Sequence, residues 1–198
     1  MKRYLILYGS VEGHTRTIAE HVLESVRNLG ATGELLDATN ALCLVLEEGE
    51  YDGVIVCAPV HAGKHPASVI ETIRDSLVCL ERIPSALVSV SLAAAIDGEE
   101  HRAEAQSYVD DLVRETGWSP TRVHLAAGAL KYTQYDFFKR LLVKLIADRR
   151  GGDTDTSHDW VYTDWSALDR FVAEFDAEVP PRADAKPMGV PETADRLE

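Results

Sequence analysis

Ser10, Gly13, His14 and Thr15 stand in the stretch YGSVEGHT, between the apolar run RYLIL and the helical pattern RTIAEHVLESVRNLG. Two hydroxyls, a flexible glycine and a helix start are the parts of an anion socket, because the first amides of a helix carry its positive end. Three readings compete. One is an ordinary strand-to-helix turn capped by Ser10 or Thr15. A second is a nucleoside triphosphate site, but the lysine of GxxxxGK(S/T) is missing, and so is the dinucleotide pattern GxGxxG. The third is a single phosphate monoester held by backbone N–H groups, the Ser10 and Thr15 hydroxyls and the helix dipole. His14 could face that anion, or it could simply be solvated.

Two further stretches bear on the choice. APVHAGKHP, residues 58–66, leaves an apolar run through small and turn-prone residues, as a chain must where a flat ligand lies against its backbone. SVSLAAAIDG, from Ser89, again begins with small residues. Three compact loops, the first suited to a phosphate, fit a flat ring bearing one phosphate. Riboflavin 5′-phosphate (FMN) has that shape. No general base or nucleophilic triad stands out.

The elements that must position these loops alternate along the chain. RYLILYG (3–9) is a near-continuous apolar run, as expected of a strand covered on both faces. Residues 14–29 follow, with Ile18, Val22, Val26 and Leu29 at helical spacing and Gly30 as the stop. Strands are expected at 33–38, 51–59, 84–93 and 121–130. Helices are expected at 66–80, at 99–116 before Gly117, and at 163–178 with Thr163 or Asp164 as N-cap. Five apolar strands alternating with helices imply an α/β, doubly wound, mostly parallel sheet with helices on both faces. Ligands of such sheets sit beyond the carboxyl ends of the strands, where the strand order reverses. Residues 131–160 form an insertion before the last helix, and the Pro- and charge-rich 180–198 reads as a disordered tail.

The chain has 198 residues, 45% hydrophobic and 27% charged, which suits one soluble domain over 1–179. No apolar run approaches the roughly 20 residues that span a bilayer. The start MKRYLILYG is too short in its apolar part for a secretory signal, so a cytoplasmic location is expected. Cys43, Cys57 and Cys79 are widely spaced among apolar neighbours and read as core thiols. The formal charge of −13 disfavours nucleic acid as a partner. Against that background, residues 131–150 hold six cations and two carboxylates, a net +4 that leaves the rest of the chain at −17.

The chain resembles the flavodoxin superfamily, whose FMN-phosphate loop is similar to YGSVEGHT. The set AGALKY, VKLI, GGDTDT and VYTDW narrows the likeness to the flavodoxin-like, menaquinone-dependent protoporphyrinogen IX dehydrogenases, over roughly 3–175. The resemblance implies that Ser10, Val11, Glu12, Gly13, His14 and Thr15 wrap the phosphate. Pro59, Val60, His61, Ala62 and Gly63, with Ser89, Val90, Ser91, Leu92 and Ala93, would border the isoalloxazine. Main-chain N–H groups there would bond the ring's edges. His61 is the nearest candidate for a base. The implied activity passes electrons from a reduced tetrapyrrole, protoporphyrinogen IX, through FMN to a membrane quinone, as a step of haem biosynthesis. The second loop reads His61-Ala62 where the family often has an aromatic. The stretch AIDGEEHRAE is acidic where the family is often basic.

The basic insertion combines Tyr132, Tyr135, Phe137 and Phe138 with an aliphatic stripe and six cations, Lys131, Lys139, Arg140, Lys144, Arg149 and Arg150. It reads either as a helix packed on the sheet with snorkelling cations, or as an amphipathic surface meeting anionic headgroups. Lys131, Tyr132, Lys139, Arg140 and Lys144 are the candidate substrate or membrane contacts, at the inner face of the cell membrane. Asp153 and Asp155 in GGDTDT lack the ligand spacing of an EF-hand, so a turn is expected there and no metal. A flavodoxin-type electron carrier with no organic substrate is the alternative function. A flavin-free interaction domain on the same fold is a third.

Overall fold

The computed structural model describes residues 1–10, 13–38, 49–130 and 160–180. Strands β1 (Arg3–Tyr8), β2 (Thr32–Asp37), β3 (Gly53–Pro59), β4 (Ser85–Ser91) and β5 (Arg122–Ala127) form one sheet in the order β2-β1-β3-β4-β5. Every neighbouring pair is parallel. The expected five-stranded, doubly wound sheet is therefore present, and its order reverses between β1 and β3.

Alternation along each strand sends side chains to opposite faces. Tyr4, Ile6, Tyr8, Ile55, Cys57, Val88 and Val90 meet Ile18, Val22 and Val26 of α1 (His14–Asn28) and Leu168, Phe171 and Phe175 of α5 (Trp165–Glu178). Leu5, Leu7, Val54, Val56, Ala58 and Leu87 face the other way. They pack on Val69 and Ile73 of α2 (Ala67–Asp75), Leu80 of α3 (Leu77–Leu80) and Val109 and Leu112 of α4 (Glu99–Thr116). Trp118 closes this second layer. It is fully buried, and its indole Nε1 donates to Ser85 Oγ at 2.9 Å.

Several boundaries differ from the sequence-based expectation. The helix expected over 66–80 breaks at Ser76, where the Ser76 amide still reaches Thr72 O at 3.1 Å while Val78 turns into solvent. Helix α1 stops at Asn28, and Leu29 is its half-exposed C-cap. The apolar run 121–130 is two pieces. β5 ends at Ala127, Gly128 N–H reaches back to Ser91 O at 3.0 Å, and β6 (Ala129–Leu130) pairs antiparallel with β7 (Trp160–Val161). That small ladder is the base from which residues 131–159 depart. The expected inserted helix and the 180–198 tail lie outside the described residues, apart from Pro180.

Candidate functional site

The mouth of the sheet is built by the segments that leave β1, β3, β4 and β5. Gly9 leaves β1 with its N–H on Cys57 O, and a Cβ there would stand 2.4 Å from Val69 Cγ2, so the chain passes against α2 only as glycine. Ser10 does not cap the helix. Its hydroxyl oxygen accepts from Gly13 N–H at 2.9 Å, closing the loop on itself and leaving the hydroxyl proton to donate outward. Gly13 is the N-cap, at φ 91° and ψ −23°, a left-handed conformation that favours glycine. Among the described residues no side chain caps α1, and no acidic residue lies in its first turn. Among the described residues the amides of Thr15 and Arg16 have no main-chain partner, as the opening amides of a helix commonly do not, and the Thr15 side chain is buried.

His14 is half-buried and meets a threonine. Its Nε2 lies 3.0 Å from Thr163 Oγ1, and Thr163 donates its proton to Ala127 O at 2.7 Å. The only cation in the first turn, Arg16, pairs with Glu20 at 2.9 Å. Phosphate binding by amides rather than by a lysine or arginine is what this arrangement permits. Val11 and Glu12 lie outside the described residues.

After β3, Val60 N–H bonds Val90 O at 2.8 Å, and His61 and Lys64 exchange both main-chain bonds, at 2.8 and 3.1 Å. Ala62 (φ 50°) and Gly63 (φ 80°) form the tip of this tight turn, both left-handed. Among the described residues their amides have no partner, so they are the donors this loop can offer a ring edge. His61 itself is exposed. Behind the turn, His65 is buried, and its Nδ1 holds Pro59 O at 3.0 Å; burial pushes its pKa below the ordinary histidine value. His65 thus clasps the two ends of the loop, a role that nothing in its local sequence announces.

After β4 the candidate residues separate into two groups. Ser89 and Val90 are inside the strand and buried, with Val90 in the α1–α5 core. They stand two residues and one residue before the strand's end at Ser91. Ser91 Oγ accepts from Ala94 N–H at 3.2 Å and starts the short 3-10 turn Ala93–Ala95. Leu92 and Ala93 remain as the mouth residues of this loop. Between this turn, the start of α4 and the edge of β5 lies a groove of ≈ 990 Å³. Ala93, Asp97, Arg102 and His124 line it. Burial against Phe171, 5.1 Å between ring centroids, lowers the pKa of His124.

The other expected residues divide similarly. Cys57 is fully buried and its thiol pKa is pushed up by burial, while Cys79 is half-buried. Lys131, Tyr132, Lys139, Arg140 and Lys144, with Cys43 and the GGDTDT turn, lie outside the described residues. Among the described residues, no helix is long and apolar enough to cross a membrane.

A glycine-capped helix start at the β1 exit, beside the reversal in strand order 2-1-3-4-5, is the architecture of one class. Residues 5–157 match the flavodoxin domain, and the chain belongs to that family. Its curated relatives include the protoporphyrinogen IX dehydrogenase (quinone) of Leishmania major, 33% identical over 199 aligned residues that cover 95% of this chain and 82% of the relative. The protein of the same name from Escherichia coli (strain K12) is 31% identical over 173 residues, 86% of this chain and 92% of the relative. Among solved structures, the Streptococcus pneumonia TIGR4 flavodoxin is similar in fold, with a TM-score of 0.50 at 16% identity, covering 89% of this chain and 99% of that one.

Proposed function

We propose that this chain is an FMN-dependent oxidoreductase that takes hydride from protoporphyrinogen IX and passes the electrons to a quinone. The observation that carries the reading is similarity over nearly the whole chain to relatives of that name, joined to an uncapped, acid-free start of α1. The fit to FMN rests on this structure's own features. The amides of Thr15 and Arg16 and the Ser10 hydroxyl would hold the phosphate, and the amides of Ala62 and Gly63, which have no partner among the described residues, would serve the edge of the ring. Bound FMN supplies the acceptance and release of hydride.

The chain's own residues bind, orient and exclude water. Gly13, in the left-handed region, turns the loop so that the first-turn amides converge. The His61–Lys64 turn places its two tip amides where a ring would lie, and His65 holds that turn to Pro59. Loss of hydride from a porphyrinogen carbon also requires loss of a proton, and His61, exposed at the mouth, is the ionisable side chain on that loop that can take it. Contact with anionic membrane is assigned to Lys139, Arg140 and Lys144; their replacement by Gln lowers partition onto anionic vesicles.

An electron carrier without an organic substrate is the second reading. The acidic exposed face of α4, with Glu99, Glu100, Glu104, Asp110, Asp111 and Glu115, favours it as a surface for a basic protein. One anaerobic experiment separates the two. Protoporphyrinogen added to the yellow protein bleaches the flavin, and a quinone restores the colour, if the enzyme reading holds. Flavin that stays oxidised with protoporphyrinogen but is bleached by a reductase protein selects the carrier.

A further inference from the structure

VYTDW is a stretch that a phosphate site and a flat-ring site do not by themselves demand, yet its threonine reaches the residue that opens α1. Thr163 is 8% exposed and precedes the N-cap of α5. Its single hydroxyl proton goes to Ala127 O at 2.7 Å, so toward His14 it can only accept. His14 Nε2 must therefore carry a proton and donate across the 3.0 Å separation. His14 is the first residue of α1, and Ala127 is the last residue of β5, paired with Ser91 of β4. One hydroxyl thereby joins the first turn of α1 to the exits of β4 and β5.

The first turn needs such an anchor. Gly13 gives it no side-chain cap, and the loop's own bond, Ser10 to Gly13, stops short of the helix. Further along, α1 is tied to α5 by other contacts. His21 Nε2 and Ser25 Oγ both meet Asp169 Oδ1, at 2.8 and 2.6 Å, and Trp165 lies 4.7 Å from the His21 ring. Those contacts fix the body of the helix. At the tip, His14 meets Thr163 at 3.0 Å and the Trp165 ring at 6.5 Å between centroids.

We infer that Thr163 is a positioning residue: through His14 it sets the direction of the amides that receive the flavin phosphate. The inference rests on the FMN reading above. A site whose donors are held in place before the ligand arrives loses less freedom on binding. Thr163→Val keeps the β-branched shape and removes both bonds. The deficit falls on the phosphate end of the ligand, because the ring-facing turn at 61–64 is held separately by His65.

The test compares FMN with riboflavin, which lacks the phosphate, by fluorescence quenching on apoprotein whose folding is checked by thermal unfolding. In Thr163→Val the FMN Kd rises on the order of tenfold, as for a lost buried hydrogen-bond pair, while the riboflavin Kd changes less than about twofold. Thr163→Ser restores FMN binding, since the hydroxyl returns. His14→Phe, which cuts the bridge from the other side and spares the bond to Ala127, reproduces the selective loss, and carries the test if Thr163→Val does not fold. An unchanged FMN Kd overturns the inference. So does an equal loss for both ligands, which marks general loosening. Wild-type protein that binds neither ligand overturns the FMN reading itself, and this inference with it.

Discussion

Gly13→Ala isolates the contribution of a single backbone angle to cofactor binding. Gly13 sits at φ 91°, where an added Cβ meets the neighbouring carbonyl oxygen. The cost of holding a non-glycine residue there is about 1–2 kcal/mol. Gly30 supplies the control, because it has φ +81°, no heavy atom within 4 Å of an added Cβ, and a place at the far end of the same helix. Gly30→Ala should therefore lose about 1–2 kcal/mol of stability, which lowers Tm by roughly 2–4 °C per kcal/mol in a domain of this size, and Gly13→Ala should lose less, because its loop is free to relax when empty. Only Gly13→Ala should weaken FMN. Its loop relaxes away from the receiving conformation when empty, and binding must restore the strain, so Kd rises about five- to thirtyfold. Isothermal titration of FMN into both apoproteins reads the difference. Should Gly13→Ala bind FMN as tightly as wild type while its Tm falls like that of Gly30→Ala, the left-handed N-cap has no part in holding the phosphate.

Three other outcomes follow from the packing. His65 and His124 both have pKa values lowered by burial, so below about pH 6.5 the unfolded chain binds more protons and stability declines as pH falls. Urea unfolding between pH 7 and 5 should show that slope, and His65→Gln should flatten it; a slope unchanged in His65→Gln, His124→Gln and the double variant assigns it elsewhere. Trp118→Phe removes the indole donor from Ser85 Oγ in the core and should cost about 1–3 kcal/mol, read as a lower urea midpoint at constant slope. A change under about 0.5 kcal/mol would deny that bond its role. Cys57 is fully buried with a raised pKa, so iodoacetamide should label it only after unfolding; native labelling at Cys57 by peptide mass analysis would contradict the described core.

The elements were legible in the sequence where burial on both faces writes an apolar run, as in RYLIL and GVIVCAP. They were illegible where the pattern runs across a break. Val69, Ile70, Ile73, Leu77 and Leu80 keep helical spacing through Ser76, so periodicity gives no sign that α2 ends there. In AAGAL the apolar run likewise conceals the exit at Gly128, which depends on a bond to Ser91 thirty-seven residues away. The candidate phosphate loop was visible because its parts are adjacent: Ser10, Gly13 and the helix start. Its supports were not. His14 lies 149 residues from Thr163, and the buried role of His65 depends on how the chain folds back on Pro59. Ser89 and Val90 stand in the buried end of β4 and Leu92 and Ala93 beyond it, a boundary that small residues do not mark, because they suit a buried strand as well as a loop.

The account depends on the β1 exit receiving the phosphate of FMN while the ring lies along the turns after β3 and β4. A crystal structure of the protein with bound FMN tests this most directly. The phosphate should lie within hydrogen-bond distance of the first-turn amides of α1 and Ser10 Oγ, with the ring against Ala62 and Gly63. Density for FMN elsewhere, as in the groove beside β5, with no anion at the start of α1, would contradict it.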